Sequence, residues 1–129
     1  MTNELSFLLG DIIPEYIREE NLLDVLKPSF ENHPYKTAFI FQNKQLTYEQ
    51  LDVLSNRVAA HLIKQGIKPG DRVGLWYPRG IEIPLFALSI LKCGAAYLPF
   101  DIDMPRERVT DALEEAKASC IITKEDISF

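Results

Sequence analysis

A chain of 129 residues is long enough for a single domain that buries about two thirds of its unfolded surface. With 47% hydrophobic and 26% charged residues it has the make-up of a folded globular protein, which excludes a disordered chain, and two cysteines exclude a disulfide scaffold. A net charge of −5 and a pI near 5.0 weigh against nucleic acid or an anionic membrane as the main partner, since both reward clustered Lys and Arg, and leave a small anionic ligand open.

Residues 1–20 have weak periodicity and read as a flexible or loosely docked lead-in. The apolar run Phe7-Leu8-Leu9 is too short, and lacks the basic start, for a signal peptide. Cys93 and Cys120 lie far apart with no CxxC, which suits reduced thiols and a cytoplasmic location. From Asn21 a capped helix is expected through Asn32, kinked or split by Pro28, with Leu22, Leu23, Val25, Leu26 and Phe30 in apolar contact. Thr37–Phe41 and Leu46-Thr47 form a hairpin across the turn Gln42-Asn43-Lys44-Gln45.

Thr47-Tyr48-Glu49-Gln50 is a capping box that opens a helix with Leu51, Leu54, Val58, Ala59, Leu62 and Ile63 at helical spacing, ended by Gly66. Pro69-Gly70-Asp71 turns into a strand over residues 72–77, apolar enough to be covered on both faces. A helix follows Gly80, with Pro84 tolerated in its first turn. The apolar stretch 83–100 has membrane-spanning length, but Pro84, Ser89, Lys92, Gly94 and Pro99 make it a buried helix, a turn and a strand. Residues 95–98 are that strand, Pro105 starts a helix through Ala116 with Val109, Ala112, Leu113 and Ala116 inward, and residues 119–123 are the last strand. Helices alternating with strands across short connections imply right-handed crossovers, so the fold class is α/β: a small β-hairpin, then helices on a mainly parallel sheet.

Chemical signatures are sparse. There is no GxGxxG after a strand and no GxxxxGK[ST], which argues against nicotinamide and P-loop chemistry. His33 and His61 stand alone and do not assemble a metal site. Cys93, at a helix C-terminus, reads as a small buried residue, because that end of the dipole opposes a thiolate. Ser89 lacks a GxSxG context. Asp101 and Asp103 follow a strand at the ligand-binding edge of an α/β sheet, where they would hold a cation or, for Asp103, cap the helix at Pro105. Arg79 beside a helix N-terminus is either an anion-binding group or a solvated loop arginine. Arg106, Glu107, Arg108, Asp111, Glu114, Glu115 and Lys117 read as a solvated helix face.

Two stretches are more specific. Leu46-Thr47-Tyr48-Glu49-Gln50-Leu51 resembles the first core motif of the adenylate-forming (AMP-binding) superfamily, L-T-Y-x-E-L, with Gln50 keeping the capping role of Glu. Leu91-Lys92-Cys93-Gly94-Ala95-Ala96-Tyr97-Leu98-Pro99-Phe100-Asp101 resembles the second, L-K-A-G-x-A-Y-x-P-L-D, with Cys93 for Ala and Phe100 for Leu. Pro105, Glu107 and Arg108 resemble the following P-x-E-R, where Ile102 and Met104 replace Pro and Tyr. Gly66-Ile67-Lys68-Pro69-Gly70-Asp71-Arg72-Val73 is similar to the family's G-V-x-x-G-D-x-V turn. The wording of the second motif leans toward the N-terminal part of a nonribosomal peptide synthetase adenylation domain rather than an acyl-CoA ligase.

The resemblance implies an enzyme that activates a carboxylate with ATP and Mg to an amino-acyl or acyl adenylate and passes it to a phosphopantetheine thiol. The family's phosphate loop, nucleotide contacts, acid pocket and C-terminal catalytic Lys all fall later than this chain extends. The resemblance therefore assigns no catalytic, cofactor-binding or metal residue here, no cofactor bound by this chain alone, and an inactive N-terminal fragment made of residues 21–129. Its implied partners are the remainder of the adenylation domain and a carrier protein, with no nucleic acid or membrane. The rival readings are a stand-alone binding module that docks on a synthetase or carrier protein, a fragment of an acyl-CoA ligase, and a small α/β enzyme using Asp101, Asp103 or Arg79.

Overall fold

The computed structural model describes residues 10–16 and 18–124, so the apolar run at residues 7–9 lies outside the described residues. A single 3-10 turn, Pro14–Tyr16, precedes helix α1, Leu22–Asn32. Asn21 caps α1: its Oδ1 accepts from the amides of Leu23 at 2.8 Å and Asp24 at 3.1 Å, while Asp24 Oδ2 accepts from the Asn21 amide at 3.0 Å. The expected split at Pro28 does not occur. Its missing amide orphans only the carbonyl of exposed Asp24, which water can reach, so α1 runs on as one element. Leu22 and Val25 point to solvent, each 56% exposed, and only Leu23, Leu26 and Phe30 of the expected apolar set are partly buried.

Strands β1, Thr37–Phe41, and β2, Lys44–Thr47, pair antiparallel with Phe41 opposite Lys44. The hairpin loop is therefore Gln42-Asn43 alone, tighter than the four-residue turn read from the sequence. Gln42 makes this possible by taking a left-handed φ of 52°. Helix α2, Tyr48–Lys64, starts at the expected capping box, with the Gln50 amide 3.2 Å from Thr47 Oγ1 and the Thr47 amide 3.0 Å from Gln50 Oε1.

Strand β3, Arg72–Trp76, lies between β4, Ala96–Pro99, and β5, Cys120–Thr123, and pairs parallel with both. Helices α3, Glu82–Lys92, and α4, Arg106–Glu115, make the crossovers. Side-chain alternation along β3 assigns the two faces. Val73 packs into a core with Ala59 and Leu62 of α2 and Ile90 of α3, whereas Gly74 faces the other way, with Leu113 of α4 against it. A Cβ on Gly74 would lie 2.7 Å from Leu113 Cδ2 and 3.1 Å from Ile121 Cγ1, so the absence of a side chain here lets α4 seat.

Three helices end alike. After α2 the amide of Ile67 donates to Leu62 O and that of Gly66 to Ile63 O; after α3, Ala95 donates to Ile90 O and Gly94 to Leu91 O; after α4, Ala118 donates to Leu113 O and Lys117 to Glu114 O. Each is a Schellman ending, and each places its turn residue at positive φ: 99° at Gly66, 71° at Gly94 and 51° at Lys117. The residue after the turn then folds back on the helix, as buried Ile67 does on Leu62.

Candidate functional site

The nucleophile candidates are structural. Ser89 is fully buried and donates its hydroxyl to Leu85 O at 2.7 Å, a back-bond to the preceding turn. Cys93 is 4% exposed, with its Sγ 3.3 Å from Ser89 O and 3.5 Å from Ala59 O, and burial pushes its thiol above the ordinary value. Cys120 is pushed the same way, by burial first and then by the negative charge of Asp71. His33 forms the C-cap of α1 and His61 lies exposed in the last turn of α2. Among the described residues no three His, Cys, Asp or Glu side chains converge as metal ligands.

Asp101 and Asp103 have roles different from those expected. Helix α4 has Pro105 as its N-cap and no side-chain cap, so Asp103 does not fill that place. Asp101 organises the turn instead. One carboxylate oxygen accepts from the Asp103 amide at 3.1 Å, and its carbonyl accepts from the Met104 amide at 3.0 Å and from Trp76 Nε1 at 2.9 Å. The motif aspartate thus ties the end of β3 to the loop that leads into α4.

The N-terminus of α3 already carries an anion from the chain. Glu82, its first residue, folds its carboxylate against Gly80 and pairs with Lys44 at 3.6 Å. Arg79 stays exposed, lining a cleft of about 200 Å³ together with Lys44, Lys124 and Glu82.

The remaining motif residues build a clamp. Lys92 Nζ lies 2.6 Å from Asp52 Oδ1, 2.7 Å from Asn56 Oδ1 and 3.3 Å from Asp52 O, and 5.5 Å from the centre of the Phe30 ring. One ammonium therefore joins α1, α2 and α3. Asp52 and Asn56 are the partners that motif reading missed. Their signal is a one-turn spacing of polar residues beside the buried positions Leu51, Ser55 and Ala59 of α2. The turn glycine Gly94 docks on the Pro69-Gly70 turn: the Gly70 amide donates to Gly94 O at 2.9 Å, and a Cβ on Gly94 would lie 3.1 Å from that of Pro69. An apolar groove of about 510 Å³ runs between α1, β1, α3 and β4, lined by Leu26, Phe39, Leu75, Ile83, Leu88 and Tyr97 among others. The arrangement of these described residues is suited to holding helices and turns together.

Residues 26–128 match the family model described as AMP-binding enzyme. The chain is 40% identical over 126 residues to the delta-poly-L-ornithine synthetase of Acinetobacter baumannii (strain AB307-0294), covering 98% of this chain and 10% of that protein. It is 40% identical over 118 residues to the dimodular nonribosomal peptide synthase of Bacillus subtilis (strain 168), covering 88% of this chain and 5% of that protein. The solved N-terminal subdomain of Klebsiella oxytoca NpsA superposes with a TM-score of 0.76 at 26% identity, over 83% of this chain and 28% of that one. The nonribosomal peptide synthetase FmoA3 superposes with a TM-score of 0.75 at 32% identity, over 79% of this chain and 12% of that one. The chain thus spans a tenth or less of these curated relatives. With two core motifs and the α/β fold in agreement, the chain belongs to the AMP-binding enzyme family and matches the N-terminal part of a nonribosomal peptide synthetase adenylation domain.

Proposed function

We propose that this chain is the opening scaffold of an adenylation domain, whose complete form uses ATP and Mg to convert an amino or other carboxylic acid to its adenylate and transfers the acyl group to a phosphopantetheine thiol. Its partners in that reading are the remainder of the adenylation domain and a carrier protein, and its compartment is the cytoplasm. The observation that carries the reading is a match over most of this chain to little more than a quarter of a solved adenylation N-terminal subdomain. The similarity to NpsA-ThdA of Klebsiella oxytoca, an artificially fused adenylation–PCP di-domain, supports the carrier as partner.

Residues 21–129 form the domain segment in this reading, with residues 1–20 as its lead-in. None of its residues is assigned a catalytic, nucleotide-binding or metal-binding role. In this reading the magnesium nucleotide is held by the remainder of the domain, and among the described residues the carboxylate of Glu82 stands at the N-terminus of α3. No step of the reaction is accordingly derived from them. The function of these residues is to set the capped helices and interlocked turns on which the rest of the domain is built.

The test is acid-dependent exchange of pyrophosphate into ATP, run on the intact gene product and on the 129-residue chain. Exchange by the intact product with a particular acid, and none by the chain alone, is the expected result. A gene product no larger than this chain, or exchange by the chain alone, would overturn the reading.

A further inference from the structure

Positive charge gathers just past the C-terminal ends of β3 and β5. Trp76 and Thr123 are register partners, so the loop Tyr77-Pro78-Arg79 and Lys124 leave the sheet side by side, at the edge where α/β folds hold ligands. The hairpin brings a third cation. Its two-residue loop, with Gln42 at a φ of 52°, delivers Lys44 to the same cleft of about 200 Å³ that Arg79 and Lys124 line. Tyr77 walls this cleft, its ring held edge-on to Phe86 with the centres 5.1 Å apart.

The charges around the cleft do not cancel. Glu82 folds its carboxylate against Gly80, where a Cβ would collide with it, and pairs with Lys44 at 3.6 Å. That carboxylate already answers the positive end of α3, so the helix terminus supplies nothing further. Arg79 and Lys124 have no carboxylate partner among the described residues, in a chain whose net charge is −5. One is a planar fork of donors and the other a mobile ammonium, and together they match the several oxygens and double charge of a phosphate better than a single carboxylate. The cleft is smaller than the roughly 300–1,000 Å³ that encloses a drug-sized ligand, so it takes a small anion or the end of a larger molecule. We infer that Arg79, Lys124 and Lys44 form a binding site for a phosphate dianion, either inorganic phosphate or the terminal group of a phosphomonoester. Glu82 is its built-in competitor, because an incoming anion draws Lys44 away from it. The site stands apart from the adenylation reading, and none of its residues lies in the motifs that carry the family resemblance.

The test titrates the isotopically labelled 129-residue chain with inorganic phosphate and, separately, with glycerol 1-phosphate, holding ionic strength constant with sodium chloride and following the NMR shifts. The expected result is a saturable response centred on Lys44, Arg79, Gly80 and Lys124, and the tighter of the two ligands identifies the source. Arg79→Gln should bind about tenfold more weakly and Lys124→Gln about threefold, whereas Glu82→Gln, which removes the competitor, should bind about threefold more tightly. Lys64→Gln, in the last turn of α2, should bind like the parent, with circular dichroism confirming the fold of every variant. Glu125 and Asp126 follow Lys124 in the sequence, outside the described residues, so the double variant Glu125→Gln/Asp126→Asn is titrated as well. A response without saturation, or equal binding by Arg79→Gln and the parent, would overturn the site. So would phosphate binding seen only in the Glu125→Gln/Asp126→Asn chain, which would mean that the chain fills its own cleft. Should Arg79→Gln fail to fold, Lys124→Gln and the shift pattern of the parent decide.

Discussion

Lys92→Ala tests whether the lysine of the second motif is an architectural residue. Its side chain is 14% exposed, and its ammonium bridges Asp52 and Asn56 while lying over Phe30. Asp52 is 40% exposed, so its carboxylate returns to water when the lysine is removed, and the two side-chain hydrogen bonds are worth about 1 kcal/mol each. The contact with the Phe30 ring adds about 1 kcal/mol. The packed stem contributes about 2 kcal/mol, and about 2 kcal/mol of side-chain entropy is recovered in the variant. The net loss is about 3 kcal/mol for Lys92→Ala and about 3 kcal/mol for Lys92→Met as well, since Met keeps both the packed stem and its ordering cost and loses the same polar contacts. Equilibrium urea unfolding of the 129-residue chain measures both, and a cycle with Asp52→Ala should return a coupling of about 1 kcal/mol. A loss below about 0.5 kcal/mol for Lys92→Ala would refute the clamp.

The other expectations use the same unfolding assay. Lys117→Gly should stabilise by about 1 kcal/mol, because Lys117 holds a left-handed φ of 51°, while Gly66→Ala, at 99°, should destabilise by a similar amount; equal and small effects would show that φ at these turns is not the controlling term. Gly74→Ala should cost about 1–2 kcal/mol, since Leu113 and Ile121 must shift to admit the methyl, and a stabilised variant would mean that α4 is not seated as described. Thr47→Ala should cost about 1 kcal/mol through loss of the α2 cap. The thiols of Cys93 and Cys120 are both raised by burial, so the unfolded chain releases their protons first. Stability is then complete below the ordinary thiol value and falls as pH rises past it, a slope that Cys93→Ala should reduce; an unchanged slope in that variant would remove the thiol from the explanation.

The features legible in the sequence were those dictated by neighbouring residues. Thr47 and Gln50 satisfy each other's amides three residues apart, and Gly66 and Gly94 stand where a helix must end at positive φ, so caps and stops could be read directly. The apolar runs around Val73 and Ile121, separated by amphipathic helices, similarly prescribed parallel strands. What escaped the reading depends on partners distant in the chain or on residues that tolerate an unfavourable conformation. Lys117 and Gln42 take left-handed φ without being glycine. Exposed Pro28 leaves α1 whole because the carbonyl it orphans belongs to exposed Asp24, open to solvent. The Lys92 clamp joins residues 36 and 40 positions apart, and Asp101 rather than Asp103 governs its loop because Trp76, at the end of β3, reaches its carbonyl. At the level of chemistry, the sequence motifs identified the family while the geometry assigned their residues to turns, caps and a clamp.

The most direct measurement replaces the matching stretch of one adenylation domain in the Acinetobacter baumannii relative with this chain and follows amino-acid-dependent ATP–pyrophosphate exchange. A scaffold that contributes no reacting group should support exchange with the acid preference of the host domain unchanged. Folded chimera without exchange, or exchange with the preference switched to a new acid, would contradict the assignment of this chain as architecture alone.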